Sequence, residues 1–221
     1  MKPIEYLYVQ MELEGIGVQN ESLITRLHPN VNDFPLVLLA RTSDGQSVRY
    51  LDTTAPQAMR ESLAHLDVDF QQIDPILRII ASCGIPVKTG HFRTYTFPGQ
   101  VQDADRGAVS CLPKDDIRVI NFGFNEFAEK VYGVEHAGQI ISACVSTRQN
   151  SRSAEAWVYT HPDHRRQGLA QQVVLAWAAD LLKEGLIPFY SHETGNSNSA
   201  DLAGSLKLVH VFDEIGIERV F

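Results

Sequence analysis

Cysteine is scarce. The 221 residues hold three, Cys83, Cys111 and Cys144, far apart, odd in number and without a CxxC pair. That spacing suggests neither a zinc site nor a disulfide framework. Apolar neighbours around each make buried, reduced thiols in a cytoplasmic protein the expectation. No apolar run approaches the length of a membrane span, and Met1-Lys2-Pro3-Ile4-Glu5 does not lead into a signal-peptide core. Positive charge is in deficit, with 19 Lys and Arg against 27 Asp and Glu and a net charge of −8. That balance argues against a general nucleic-acid binder. Internal repeats and low-complexity segments are missing too. What remains is 44% hydrophobic and 21% charged, near the average for soluble globular domains. The length suffices for one large domain or two small ones with a real core.

The N-terminal third reads as α/β material. A strand is predicted over 34–40, a hairpin turn at Ser43-Asp44-Gly45-Gln46 and a return strand over 47–51. Thr54-Ala55-Pro56 opens a helix, and Phe70, Ile73, Leu77 and Ile80 space a second over 70–82. The breaker-rich, acidic stretch 98–116 marks a boundary between two halves. A short helix with Phe124, Phe127, Ala128 and Val131 is expected after it. Strands at 131–136, 139–146 and 155–160, joined by short loops, form an antiparallel meander. A helix over 170–182, a strand over 188–192, a helix over 200–207 and two strands, 209–212 and 217–221, complete the chain.

The chemistry concentrates where the third meander strand meets its helix, in Thr160-His161-Pro162-Asp163-His164-Arg165-Arg166-Gln167-Gly168-Leu169-Ala170. The first turn of a helix carries unpaired N–H groups and the positive end of the dipole. Gly168 lets a ligand approach the backbone. Backbone N–H groups from Gln167 to Ala170 can converge on an anion, and Arg165 and Arg166 add charge. Two arginines at a helix N-terminus are electrostatically unfavourable unless an anion balances them; otherwise they are solvated surface charges. His161 and His164 have H-x-x-H spacing, but they flank Pro162 in a loop without a placed partner acid, so no metal site is assigned.

Arg165-Arg166-Gln167-Gly168-Leu169-Ala170 has the form R/Q-x-x-G-x-G/A. It follows a meander strand, opens an amphipathic helix, and is followed by a strand and then Asn196-x-x-Ser199. In that order it resembles the GNAT superfamily of N-acetyltransferases over residues 131–212. The resemblance implies an α/β (α+β) protein with a mixed, mostly antiparallel sheet flanked by helices. It also implies an acetyl-CoA-binding core over 106–221, with an N-terminal α/β lobe over 1–105 shaping the acceptor side. Acetyl-CoA would be cosubstrate and an amine the acceptor, with no nucleic acid or membrane partner and with room for a homodimer. The loop from Arg165 to Ala170 would hold the pyrophosphate. Val158 and Thr160 would pair with the pantetheine arm, in a slot opened where their strand splays from 188–192; an unbroken ladder would leave no slot. Asn196 and Ser199 are either contacts to the arm or ordinary helix caps.

Catalysis is less explicit. An amine must lose a proton before it attacks, and the oxyanion needs a donor such as the Val158 N–H. Many GNAT enzymes carry a tyrosine acid seven residues after the asparagine; here that residue is Ala203, and Tyr190 is the substitute. Glu155 is the first candidate base, against a structural carboxylate, and His192 the second. Cys144 has no histidine motif beside it and is not assigned as a nucleophile. The alternative to an N-acetyltransferase working by direct attack is a non-catalytic acyl-CoA-binding or regulatory module.

Overall fold

The computed structural model describes residues 1–29, 34–66, 70, 73–99, 108–126 and 129–220. In chain order the elements are α1 (Pro3–Leu13), β1 (Ile16–Val18), β2 (Leu23–Arg26), β3 (Pro35–Thr42), β4 (Ser47–Asp52), α2 (Gln57–Ala64), α3 (Asp74–Ser82), β5 (Val87–Thr96), β6 (Val109–Pro113), α4 (Ile117–Phe122), β7 (Lys130–His136), β8 (Gln139–Gln149), β9 (Ser153–Thr160), α5 (Leu169–Lys183), β10 (Ile187–Glu193), α6 (Ser197–Ser205) and β11 (Val209–Arg219). They fall into two units, Met1–Thr94 with His210–Phe221, and Tyr95–Val209.

The first unit is built around β3, whose apolar run Leu36–Ala40 is buried throughout. Leu38 and Ala40 pack with Leu7 and Met11 of α1. Leu36, Val37 and Leu39 pack with Met59 and Leu63 of α2 and with Ile76 and Ile80 of α3. A strand covered on both faces reads as a continuous hydrophobic run rather than an alternating one. The expected hairpin joins β3 to β4, with Gly45 at φ 91° in its turn. On its other edge β3 pairs antiparallel with β11, from Phe212 opposite Thr42 to Glu218 opposite Pro35. The last residues of the chain therefore join this unit, whose first segment ends at Thr94.

The second unit is a meander, β6–β7–β8–β9, each strand antiparallel to the next, with β10 added parallel to β9. Ala137 (φ 50°) and Gly138 (φ 78°) make the tight β7–β8 turn. On one face lies α5, with Val173, Trp177 and Leu181 packed against Ala154, Ala156, Tyr190 and the buried Ala203 of α6. On the other lies α4, with Val119 and Phe124 against Ala143 and Val145. The buried Trp177 ring donates Nε1–H to Ser146 Oγ at 2.9 Å.

Several expectations change. The short helix lies earlier than expected, over Ile117–Phe122, capped by the Asp116 side chain and ended by Gly123 at φ 85°. Of its expected residues, Val131 is in β7, and Phe127 and Ala128 lie outside the described residues. The two final strands are one strand, β11. Only Cys144 is buried. Cys83 caps the end of α3 and Cys111 lies on β6, and both are exposed.

Candidate functional site

The parallel register of β9 and β10 holds for three pairs, Ile187/Ser153, Pro188/Ala154 and Phe189/Glu155. Both strands then continue, β9 to Thr160 and β10 to Glu193. Which backbone groups face the opening follows from the pleat. His161 N–H donates to Ile141 O at 2.8 Å, so odd-numbered residues of β9 bond toward β8. Ile187 N–H donates to Arg152 O at 2.9 Å, so even-numbered residues bond toward β10. In an antiparallel ladder the two sets alternate strictly. Ala156, Val158 and Thr160 therefore turn their N–H and C=O groups to the edge that β10 has left. From Glu155 to Thr160 that edge runs for about 17 Å at strand rise.

At its far end a short 3₁₀ turn, Pro162–His164, leads to Arg165, which is extended at φ −71° and ψ 163°. The Arg165 Nε–H folds back onto Thr160 O at 3.2 Å. Arg166 has φ 61°, a left-handed conformation that disfavours a side chain bearing Cβ. Gly168, the N-cap of α5, has φ 76° and offers no side chain to cap the first turn. The first intrahelical bond at this end runs from Gln172 N–H to Gly168 O at 3.2 Å. The N–H groups of Leu169, Ala170 and Gln171 thus project from the helix end beside two exposed guanidinium groups. Gln167 is exposed, whereas Leu169 packs partly against the α5 core. Loop, glycine, dipole and charge suit a phosphate-sized anion.

Asn196 and Ser199 form the N-terminus of α6. Asn196 Oδ1 accepts the Ser199 N–H at 3.1 Å, so the cap is made. The Ser199 carbonyl accepts the Tyr190 hydroxyl at 3.4 Å. Tyr190, 3% exposed, is the first β10 residue past the last pair with β9, and burial pushes its phenol up from the ordinary value. Glu155 lies at that last pair, 7% exposed, with Oε2 accepting from Arg148 Nη1 at 2.8 Å. Two residues beyond Tyr190, His192 is buried and stacked on Tyr95 at 5.7 Å between centroids. Cys144, opposite Val158, is buried, and desolvation raises its thiol.

One feature escapes a motif-based reading. On the α4 face of β9, Trp157 and Tyr159 project beside Phe122 and Phe124. Trp157 stacks on Phe124 (4.7 Å, 18°), Phe124 meets Phe122 edge-on (4.9 Å), and Phe122 meets Tyr159 (5.8 Å). Trp157 and Tyr159 remain 41% and 39% exposed. The alternation of the two rings on one strand was the available signal; their partners Phe122, at the end of α4, and Phe124, just past it, were not deducible.

Residues 122–212 match the GNAT acetyltransferase family. Over 84 residues the chain is 31% identical to the uncharacterized N-acetyltransferase YdfB of Bacillus subtilis (strain 168), covering 37% of this chain and 32% of that protein. The match thus spans about a third of the curated relative's length. Among solved structures, the chain is similar to a GNAT-family protein from Novosphingobium aromaticivorans DSM 12444, with TM-score 0.52, 18% identity, and 62% of this chain and 69% of that one covered. It is also similar to a GCN5-related N-acetyltransferase-like protein from Streptococcus suis 89/1591, with TM-score 0.50, 17% identity, and 66% and 68% covered. At these identities the likeness is one of fold, and that fold is the one expected from the sequence.

Proposed function

Starting from the match of residues 122–212 to the GNAT acetyltransferase family, we propose that the protein transfers an acetyl group from acetyl-CoA to a primary amine. The observation that carries this reading is the parting of β9 and β10 after Glu155 and Phe189, which among the described residues leaves the outward N–H groups of Ala156 and Val158 without a β10 partner on an edge that ends at the anion seat. A pyrophosphate accepts from the N–H groups of the first turn of α5, with Arg165 and Arg166 supplying charge. The extended pantetheine arm pairs with Val158 and Thr160 as an added strand would. The thioester carbonyl then lies toward Glu155 and Tyr190, where a backbone N–H of β9 can stabilise its oxyanion.

Direct attack balances without an acyl-enzyme. The neutral amine nitrogen forms a C–N bond to the thioester carbon, the C–S bond breaks, and the thiolate leaves and takes up the proton the amine has lost. The Tyr190 hydroxyl, by turning from its 3.4 Å bond to Ser199 O, can donate a hydrogen bond to that sulfur. Glu155 polarises the approach of the amine, with its charge shared with Arg148.

A second reading, an acyl-CoA-binding module without turnover, draws on Ala203 filling the position of the tyrosine acid and packed at 1% exposure. Calorimetry with acetyl-CoA on the wild type, Arg165→Ala and Gly168→Trp, followed by thiol release over an amine panel, separates the two. Binding weakened in both variants, with amine-dependent thiol release, supports the transferase. Binding without release on any amine favours the module. A wild type that does not bind acetyl-CoA refutes both.

A further inference from the structure

His192 is 7% exposed, and its Nδ1 lies 2.8 Å from the backbone carbonyl oxygen of Glu193. A carbonyl can only accept, so Nδ1 carries the proton and Nε2 presents a bare lone pair. That Nε2 atom is buried and has no hydrogen-bond partner among the described residues. An unsatisfied buried acceptor is costly, and one retained in a native fold calls for an explanation, a catalytic role among them. The ring is not free to turn elsewhere. It is stacked on Tyr95 at 5.7 Å and 21°, and tilted against Tyr190 at 6.3 Å and 59°. Tyr190 is itself fixed by its bond to Ser199 O.

Its place in the fold gives the lone pair a use. His192 lies three residues beyond Phe189, the last β10 residue paired with β9. It shares a face of β10 with Tyr190, which packs on the same core face as Ala156 and Val158 of the opposing wall. The other acid–base candidate, Glu155, already has Oε2 engaged by Arg148. Around His192 the described contacts are two phenols, Tyr95 from β5 and Tyr190 from its own strand, and the Glu193 carbonyl; Cys144 of β8 acts on Tyr190 from behind.

Building on the transferase reading above, we propose that His192 is the general base of the reaction. Nε2 takes a proton from the acceptor ammonium. The imidazolium so formed keeps its Nδ1–H bond to Glu193 O, which stabilises the new charge. The freed amine lone pair forms the C–N bond to the thioester carbon, the C–S bond breaks, the departing thiolate recovers the proton from Nε2, and the second proton that nitrogen sheds on becoming an amide goes to solvent. His192 ends neutral, as it began.

The test is the pH–rate profile of His192→Gln, with acetyl-CoA affinity measured in parallel by calorimetry and folding checked by thermal melting. The expected result is a loss in kcat of about 10²- to 10³-fold. The acidic limb of the wild-type profile should disappear, and the dissociation constant for acetyl-CoA should stay within about twofold. An unchanged kcat with the limb retained overturns the proposal. So does an equal loss of kcat and acetyl-CoA binding with an unaltered profile, which marks a binding role. Should the variant not fold, nitrogen-15 NMR of wild-type histidines decides. An Nδ1–H tautomer whose titration follows the acidic limb supports the base, and an Nε2–H tautomer refutes it. A wild type that binds acetyl-CoA and turns over amines while His192→Gln is unaffected sinks this inference alone. A wild type without turnover sinks it together with the transferase reading.

Discussion

Phe189 stands opposite Glu155 as the last pair of the parallel register between β9 and β10, and from Tyr190 and Ala156 onward the two strands part. A buried strand rarely leaves an edge unpaired. Among the described residues the register between β9 and β10 goes no further, for the length of an extended arm, and the edge so left ends at a helix N-terminus beside two arginines.

The alternation along β9 makes a sharp prediction. Val158 points its N–H away from β8, whereas Tyr159, opposite Ala143, bonds toward it. Val158→Pro removes no ladder bond, so the fold survives, but the slot loses a donor and gains a ring. Acetyl-CoA affinity by calorimetry falls at least about tenfold, as expected for one lost hydrogen bond and a steric obstacle. Tyr159→Pro instead leaves the Ala143 carbonyl unsatisfied, and stability in urea drops by about 1–3 kcal/mol or more. Equal effects of the two variants on stability would overturn the assignment of edges.

Arg166 at φ 61° carries backbone strain beside the anion seat. Left-handed geometry disfavours a residue with Cβ by about 1–2 kcal/mol, and glycine gives back about 0.5–1 kcal/mol in unfolded-chain entropy. Arg166→Gly is therefore expected to stabilise the fold by about 0.5–1 kcal/mol while weakening acetyl-CoA binding several-fold through the lost charge. Stability and affinity moving in opposite directions, read by melting and calorimetry on one sample, is the signature. A variant that melts lower would show that the side chain, not the strain, dominates.

Much of this site was legible because its signals are local. The strand–loop–helix joint at 160–170, the Asn196 cap and the Ala137-Gly138 turn are set by residues adjacent in sequence, and short-range rules reach them. The splay was legible only through resemblance, since nothing in Pro188–His192 announces where pairing with β9 stops. The pairing of β11 with β3 joins residues about 175 positions apart, so the first unit's closure by the chain's end was hidden. The unpartnered Nε2 of His192 depends on tertiary packing from β5, and a lone histidine in a strand gives no hint of it. The exposure of Cys83 follows from its place at a helix end, where an apolar neighbourhood in sequence does not mean burial.

Asp213 accepts from Arg93 Nε at 2.6 Å and from His210 Nε2 at 3.2 Å in the first unit. Burial alone would raise its carboxyl, but the bonds to His210 and Arg93 outweigh that and hold it at about 2. The unfolded carboxyl titrates near about 3.9. A folded pKa below the unfolded one stabilises the protein above about pH 4, and that contribution is lost as pH falls through about 2. Arg93 is 45% exposed, so after solvent screening the contribution is about 1 kcal/mol. Arg93→Ala should lower stability by that amount at pH 7 and shift acid unfolding to higher pH. Urea titrations at pH 7 and pH 3 check both, and an unchanged acid limb would show that His210 alone sustains the ionised form.

Trp157 and Tyr159 of β9 share the α4 face of the sheet with their β8 partners Val145 and Ala143, opposite the face covered by α5. Their backbones belong to the strand proposed to pair with the donor, and their rings rise from it on the side away from α5. Two aromatic rings about 40% exposed, braced by Phe124 and Phe122, offer an apolar or cation-binding surface. If an acceptor amine approaches over this face, Trp157→Ala raises the acceptor KM by at least about fivefold, the value of a contact near 1 kcal/mol. The dissociation constant for acetyl-CoA stays unchanged, because the edge that binds it is backbone. Loss of the half-exposed ring lowers stability by only about 1–2 kcal/mol. Trp157→Phe keeps the stack on Phe124 and should restore most of the KM. An acceptor KM indifferent to both variants would place the amine's approach elsewhere than over β9.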